Sequence, residues 1–289
     1  LLNGRESPPR DRLVCRLAVS AGPAARRWRH ELETWEIPSE LLEAVPDSPY
    51  TFSPKLWKRR GMDIGENPTS IRVTALAGRG GSILDVGAGM GRASLALARA
   101  GHPVTAVERN QAMLAGLREA SAGFLVKVVE GSWPEVAETV GPHEVALSAH
   151  VVYDVAEIGP FLAALVDRAA KGVVIELAES HPWTHLGPYY RRLHGLVRPT
   201  GPNVDDLAAV VREVCGIEPN VERWSRPSDL WFESLEEIFE LYGRRLVLPP
   251  NRWTELADLL KPEINESGGR LRVGNDDTKL ATVWWAPTG

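Results

Sequence analysis

From residue 82 onward the chain alternates short, almost uniformly apolar runs with longer stretches in which apolar residues recur every three or four positions. The short runs, rich in β-branched residues and bounded by turn residues, predict strands at 82–86, 103–107, 124–129, 144–148 and 172–177. The stretches between them predict helices at 92–100, 110–120, 134–140 and 158–170. Strands that are apolar on both faces, each followed by a crossover helix, are what a parallel sheet covered on both sides requires. A further helix is predicted at 204–215, a strand at 220–224 and a last strand at 279–285, where Trp284 and Trp285 point to opposite faces. The expected fold is α/β, a doubly wound, mostly parallel seven-stranded sheet.

Two regions break this rhythm. Residues 1–78 read as a helical N-terminal cap or lead-in, with helical pieces at 24–36, 39–44 and 54–60 separated by Pro and Gly; the sheet domain is placed at 79–289. Residues 225–278 form a helical insert before the last strand, with helices at 235–242 and 252–260.

Composition narrows the function classes. Of 289 residues, 44% are hydrophobic and 25% charged, which suits a globular protein with a substantial core. The net charge of −5 supplies no global field for nucleic acid or an anionic membrane. Cys15 and Cys215 lie far apart and in no metal-binding spacing, which argues for a reducing, cytoplasmic setting and against structural zinc. No run approaches a membrane span, and residues 1–21 are interrupted by Arg and Asp, so no secretory signal is expected. The oddity is ten Trp against five Tyr and five Phe.

The candidate chemistry begins where the first strand runs into Asp85-Val86-Gly87-Ala88-Gly89-Met90-Gly91-Arg92 and then a helix. Glycines let the backbone turn sharply and approach a ligand, and the helix N-terminus offers unpaired N–H groups. A nicotinamide dinucleotide fingerprint needs its third glycine where Arg92 stands, so that reading fails on spacing.

The stretch Ile83-Leu84-Asp85-Val86-Gly87-Ala88-Gly89-Met90-Gly91 resembles the first motif of the class I S-adenosylmethionine-dependent methyltransferases, an acidic residue, a hydrophobic residue and GxGxG. Val107-Glu108-Arg109-Asn110 looks like that family's second motif, 21 residues beyond Gly87, with Glu108 able to accept both ribose hydroxyls. The resemblance implies a Rossmann-like fold, S-adenosyl-L-methionine as cofactor, and Asp85 near its methionine amino group. It also implies that Glu130-Gly131-Ser132-Trp133 edge the adenine, although the Asp many members carry near there is missing, and that Leu147 to Val155 line the methionine end and the acceptor. The cofactor-binding set is thus Asp85, Gly87, Ala88, Gly89, Gly91, Glu108, Arg109, Gly131, Ser132, Trp133 and Ala149.

For catalysis the candidates are His150, whose residue type titrates near neutrality, Tyr153 beside it, and His181 after the fifth strand. The competing reading for His150 is a side chain that only hydrogen-bonds the backbone. His181 and His185 have metal-ligand spacing, yet Pro182 opposes a helix through both and no third ligand is visible, so no metal is expected. The absence of an Asn/Asp-Pro-Pro-Tyr/Phe tetrad and of a Pro-Cys nucleophile disfavours nucleic-acid bases and points to a small-molecule acceptor. Methylation of RNA or protein, docked on Arg26 to Arg29 and Lys55 to Arg60, and a non-catalytic cofactor-binding module remain alternatives. With nine Trp outside the motif stretch, a Trp-rich cap enclosing a bulky or aromatic acceptor is expected.

Overall fold

The computed structural model describes residues 22–43, 45, 48–50, 65–274 and 277–286. The expected helix at 54–60 and the basic residues Lys55 to Arg60 lie outside these. The strands are β1 (Ile83–Val86), β2 (Val104–Glu108), β3 (Val126–Glu130), β4 (His143–Ala149), β5 (Ala169–Ala178), β6 (Asn220–Pro227), β7 (Ile264–Ser267), β8 (Arg270–Val273) and β9 (Asp277–Trp285). The helices are α1 (Pro23–Thr34), α2 (Ser39–Leu42), α3 (Pro68–Ala77), α4 (Arg92–Arg99), α5 (Gln111–Ala120), α6 (Ile158–Arg168), α7 (Gly187–His194), α8 (Val204–Cys215), α9 (Leu235–Arg245) and α10 (Trp253–Leu260).

Seven strands form one sheet in the order β3-β2-β1-β4-β5-β9-β6. The first five pair in parallel, and β9 runs antiparallel to both β5 and β6. This is the doubly wound, Rossmann-like arrangement expected from the alternating pattern. The strand order reverses between β1 and β4, where open α/β sheets place a ligand crevice at the strands' C-terminal ends.

Apolar residues on alternate sides of the strands feed two cores. On one face Val173, Ile175, Val283 and Trp285 pack with Trp28 of α1, Phe161 of α6 and Val210 of α8. On the other, Val145, Val174 and Ile83 pack with Val73 of α3 and Leu97 of α4, with Trp284 alongside. The opposite orientation of Trp284 and Trp285 therefore holds. A third core, separate from the sheet, joins Leu186, Tyr190, Phe232, Leu241, Leu256 and Ile37.

Helix α1 belongs to the sheet's core as much as any crossover helix: Trp28 is fully buried, and its indole N–H donates to the Val155 carbonyl at 2.8 Å. Gly22 offers no capping side chain, so the Glu213 carboxylate of α8 accepts from the N–H groups of Ala24 and Ala25 instead. Helix α3 starts with a capping box between Asn67 and Ser70, followed by Pro68 at its first turn.

Three expectations need correction. The helix predicted at 134–140 is only a 3-10 turn at Ala137–Thr139, because Pro134 and Gly141-Pro142 leave too few residues to repay helix nucleation. Helix α6 stops at Arg168, and Ala169 and Ala170 already belong to β5. The insert is not purely helical, since β7 and β8 form a hairpin across Gly268-Gly269, both at positive φ. The insert also leaves and rejoins the sheet at one place, for Pro227 at the end of β6 pairs with Asp277 at the start of β9.

Candidate active site

The turn after β1 is shaped by backbone bonds that only glycine-rich sequence permits. Gly87 and Ala88 donate to the Val107 carbonyl at 2.9 and 3.0 Å, and Gly87, Gly89 and Gly91 take φ of +75°, +58° and +89°. A Cβ on Gly87 would sit 2.3 Å from Val151, whereas one on Gly89 would meet nothing within 4 Å and would project into open space. Gly91 does not line the cavity; a Cβ there would strike Leu117 at 2.5 Å, so its role is to seat α4 against α5.

Asp85 lies beneath this turn, 1% exposed, with the Ser94 hydroxyl donating to it at 2.5 Å. Burial, opposed by the Ser94 bond and reinforced by the charges of Glu108 and Glu176, raises its carboxyl to about 6. Glu108 ends β2 and accepts three backbone N–H groups, from Gly89 at 2.7 Å, Arg109 at 2.9 Å and Asn110 at 2.7 Å. A carboxylate offers about four acceptor sites, so Glu108 is fixed in place yet keeps capacity for a ligand hydroxyl. Gly131, at φ +152°, donates to the Glu108 carbonyl at 2.9 Å and leaves no room for a Cβ beside Val136. The Trp133 indole N–H donates to the Phe161 carbonyl at 3.3 Å, which fixes the ring along the wall.

Past the end of β4, His150 holds a left-handed backbone at φ +60°. Its N–H donates to the Glu176 carbonyl at 2.8 Å, and its ring Nε2 lies 3.0 Å from Glu176 Oε1. Burial pushes the Glu176 carboxyl up, but His150, Thr69 and Arg226 outweigh it and hold it below the usual carboxylate range. Tyr153 accepts the Ala178 N–H on its hydroxyl, and burial pushes that phenol well above its ordinary value. His181 stacks on Trp35 with centroids 4.2 Å apart and meets the edge of Tyr153 at 5.8 Å. Burial, with Arg198 and His185 nearby, lowers its imidazole to about 3. It is therefore neutral at physiological pH and a poor proton acceptor.

These groups share one cavity of about 1040 Å³. A single small-molecule pocket is roughly 300–1,000 Å³, so there is space here for two reactants. Asp85, Gly87, Ala88, Gly89, Glu108, Arg109, Gly131, Ser132, Trp133, Ala149, His150, Tyr153 and His181 all line it. The far wall comes from Trp183, His185 and Tyr189 after β5 and from Leu241, Tyr242 and Arg245 of α9. The Arg245 guanidinium lies over the Trp183 ring at 4.6 Å, and His185 meets Tyr242 edge-on at 6.0 Å. Asp229 of the insert accepts from Arg92 at 2.7 Å and Arg226 at 3.0 Å, tying the insert to the glycine turn. Among the described Trp residues, Trp133, Trp183 and Trp224 line the cavity, and Trp28 and Trp285 are buried in the sheet's core. Thr69 and Arg245 also line the cavity, with no motif to announce them, and so does Glu176, the lone acid inside the apolar run Gly172 to Leu177.

Among the described residues no group of three or more His, Cys, Asp or Glu could hold a metal ion, and no helix is long and apolar enough to cross a membrane. Residues 83–172 match the family model described as a methyltransferase domain. No curated protein sequence matches the chain. Among solved structures the chain is similar to a precorrin 8w decarboxylase from Methanobacterium thermoautotrophicum, at 15% identity and TM-score 0.44 over 85% of this chain and 99% of that one. It is similar also to a precorrin-6y C5,15-methyltransferase from Geobacter metallireducens, at 13% identity and TM-score 0.44 over 81% and 92% of the two chains. A third is magnesium protoporphyrin IX methyltransferase from Synechocystis, solved with S-adenosylhomocysteine, at 14% identity and TM-score 0.45 over 79% and 93%.

Proposed function

We propose that this protein, whose residues 83–172 match the methyltransferase-domain family, is a class I, S-adenosylmethionine-dependent enzyme that transfers a methyl group to a small-molecule acceptor by in-line displacement. The observation that carries this reading is the continuity of one cavity from the glycine turn and Glu108 to an aromatic chamber. The residues present fit S-adenosylmethionine. Open space above Gly89 admits a ligand against the backbone, Glu108 keeps acceptor capacity for ribose hydroxyls, and the buried Asp85 carboxyl lacks a cation that an ammonium group supplies.

When bound, the donor supplies an electrophilic methyl on a positively charged sulfur. The protein's part is to hold an acceptor in line with it and keep water out, which can supply roughly 7–11 kcal/mol through positioning. Asp85 and Glu108 fix the donor's two ends, and Trp133 flanks the adenine. Trp183, Tyr242 and His181 enclose the acceptor, and His150, which lines the same cavity, is the candidate base.

A thermal-shift panel of S-adenosylmethionine, S-adenosylhomocysteine and NAD tests this. At a hundred times its dissociation constant a ligand adds about 2.7 kcal/mol of stability. Both sulfur compounds are expected to raise Tm and NAD to leave it unchanged; a folded sample that responds to neither sulfur compound refutes the reading.

A further inference from the structure

His150 and Glu176 end adjacent parallel strands and are joined twice, backbone to backbone at 2.8 Å and ring to carboxylate at 3.0 Å. A left-handed histidine is uncommon and persists only where its surroundings over-determine it, as these two bonds do. Behind the pair lie two buried hydroxyls. Thr69 helps hold the Glu176 carboxyl low, its hydroxyl shares a 2.7 Å hydrogen bond with that of Thr282, and the Thr282 oxygen accepts from the Trp224 indole N–H at 3.1 Å. Thr282 is fully buried and faces Glu176 across the β5–β9 pair. These groups back the carboxylate, whose Oε1 faces the imidazole.

We propose that Glu176 is a positioning residue that makes His150 the base for an acceptor hydroxyl, and that the acceptor is therefore a phenol or a comparably acidic O–H compound. This rests on the methyl-transfer reading. With Nε2 bonded to a carboxylate, the neutral ring carries its proton there and Nδ1 keeps the free lone pair. Nδ1 takes the hydroxyl proton as the acceptor oxygen forms its bond to the methyl carbon. The C–S bond electrons pass to sulfur, which leaves as a neutral thioether, and the imidazolium formed is paired with Glu176 until it loses its proton to water. A neutral amine attacks through its own lone pair and needs no base before it, so a built base argues for oxygen. Planar aromatic walls at Tyr153, His181 and Trp183 suit a ring-bearing acceptor.

The other titratable groups around the pair do not replace it. Asp85 on β1 is held under the turn by Ser94, Tyr153 is engaged by Ala178, and Arg226 on β6 is paired with Asp229. Arg226 favours and Asp85 opposes the charged Glu176.

The test uses the full chain saturated with S-adenosylhomocysteine, whose affinity is measured by calorimetry on every sample. Long-range ¹H–¹⁵N spectra of labelled histidines are expected to show His150 as the Nε2–H tautomer in the parent. With labelled S-adenosylmethionine, a panel of phenols and matched anilines is expected to give label in phenols alone. E176Q is expected to lower kcat/KM for the labelled phenol by 10²–10⁴-fold and to change its pH profile. E176D is expected to recover part of the rate, and H150N, which tolerates left-handed backbone, to lose it. An Nδ1–H tautomer, an unchanged rate and pH profile in E176Q, or label in no phenol overturns the proposal. Failure of the parent to bind S-adenosylhomocysteine instead overturns the methyl-transfer reading on which it rests.

Discussion

At the Asp85 end of the cavity nearly every wall comes from one continuous piece of chain, Asp85 to Trp133, and the contacts are made by backbone N–H groups, glycines and two strand-end carboxylates. At the Trp183 end the walls come from the segment after β5 and from α9, braced by Ile37 beyond α1, and they are rings packed on rings over a separate hydrophobic core. The first construction constrains a ligand by geometry that few residues can supply. The second constrains it by shape, which many combinations of large side chains can reproduce. A protein built this way can keep its donor chemistry while its acceptor changes.

If that division is real, disturbing one end should leave the other intact. The largest effect is expected at Asp85. Its carboxyl is raised from 3.8 to about 6, so the folded state holds a proton the unfolded chain has lost, and stability falls as pH rises through that window. Two units correspond to about 3 kcal/mol. Asp85→Asn should therefore stabilise the ligand-free protein by up to about 3 kcal/mol at pH 7 and by almost nothing at pH 4, while weakening S-adenosylhomocysteine binding. Urea unfolding at both pH values measures this, and equal effects at the two would show that Asp85 is not the titrating group.

Glu108→Ala comes next. It removes a charged acceptor from three half-buried N–H groups as well as from the ligand, at roughly 2–3 kcal/mol, so the dissociation constant for S-adenosylhomocysteine should rise about a hundredfold by calorimetry. The smallest effect sharpens the contrast most. Trp183→Ala should change that constant by no more than about twofold, although it removes the partner of Arg245 and Tyr50. A loss comparable to that of Glu108→Ala would mean the two ends are one site.

The same division explains what could be read before the structure. The β1 turn, Glu108 and the parallel sheet are local: periodicity of two or 3.6 and a run of glycines announce them, because their geometry is set by residues adjacent in the chain. Even there Gly91 lies outside the cavity lining, against Leu117. His150 was visible as a residue type, but its partner Glu176 and the threonine behind it arrive from β5 and α3, and no local pattern records a contact between distant strand ends. The chamber was less legible still. Trp-rich composition suggested it, yet Trp28 and Trp285 went to the sheet's core and, among the described residues, three indoles reached the cavity. Short signals were also passed over: Asn67-Pro68-Thr69-Ser70 is a helix start, and Gly268-Gly269 between two polar strands is a hairpin turn.

The pairing of Pro227 with Asp277 means that, as far as the sheet is concerned, everything between them is a single oversized hairpin loop. Replacing that loop by a tight turn would leave the register of β6 and β9 untouched, and grafting a different one would exchange the chamber's outer wall without re-threading the fold. The graft would have to bring its own cover for Leu186 and Tyr190, which the present loop shields from water. The aromatic end of the cavity is thus detachable in principle, like the bit of a drill whose chuck is the β6–β9 pair.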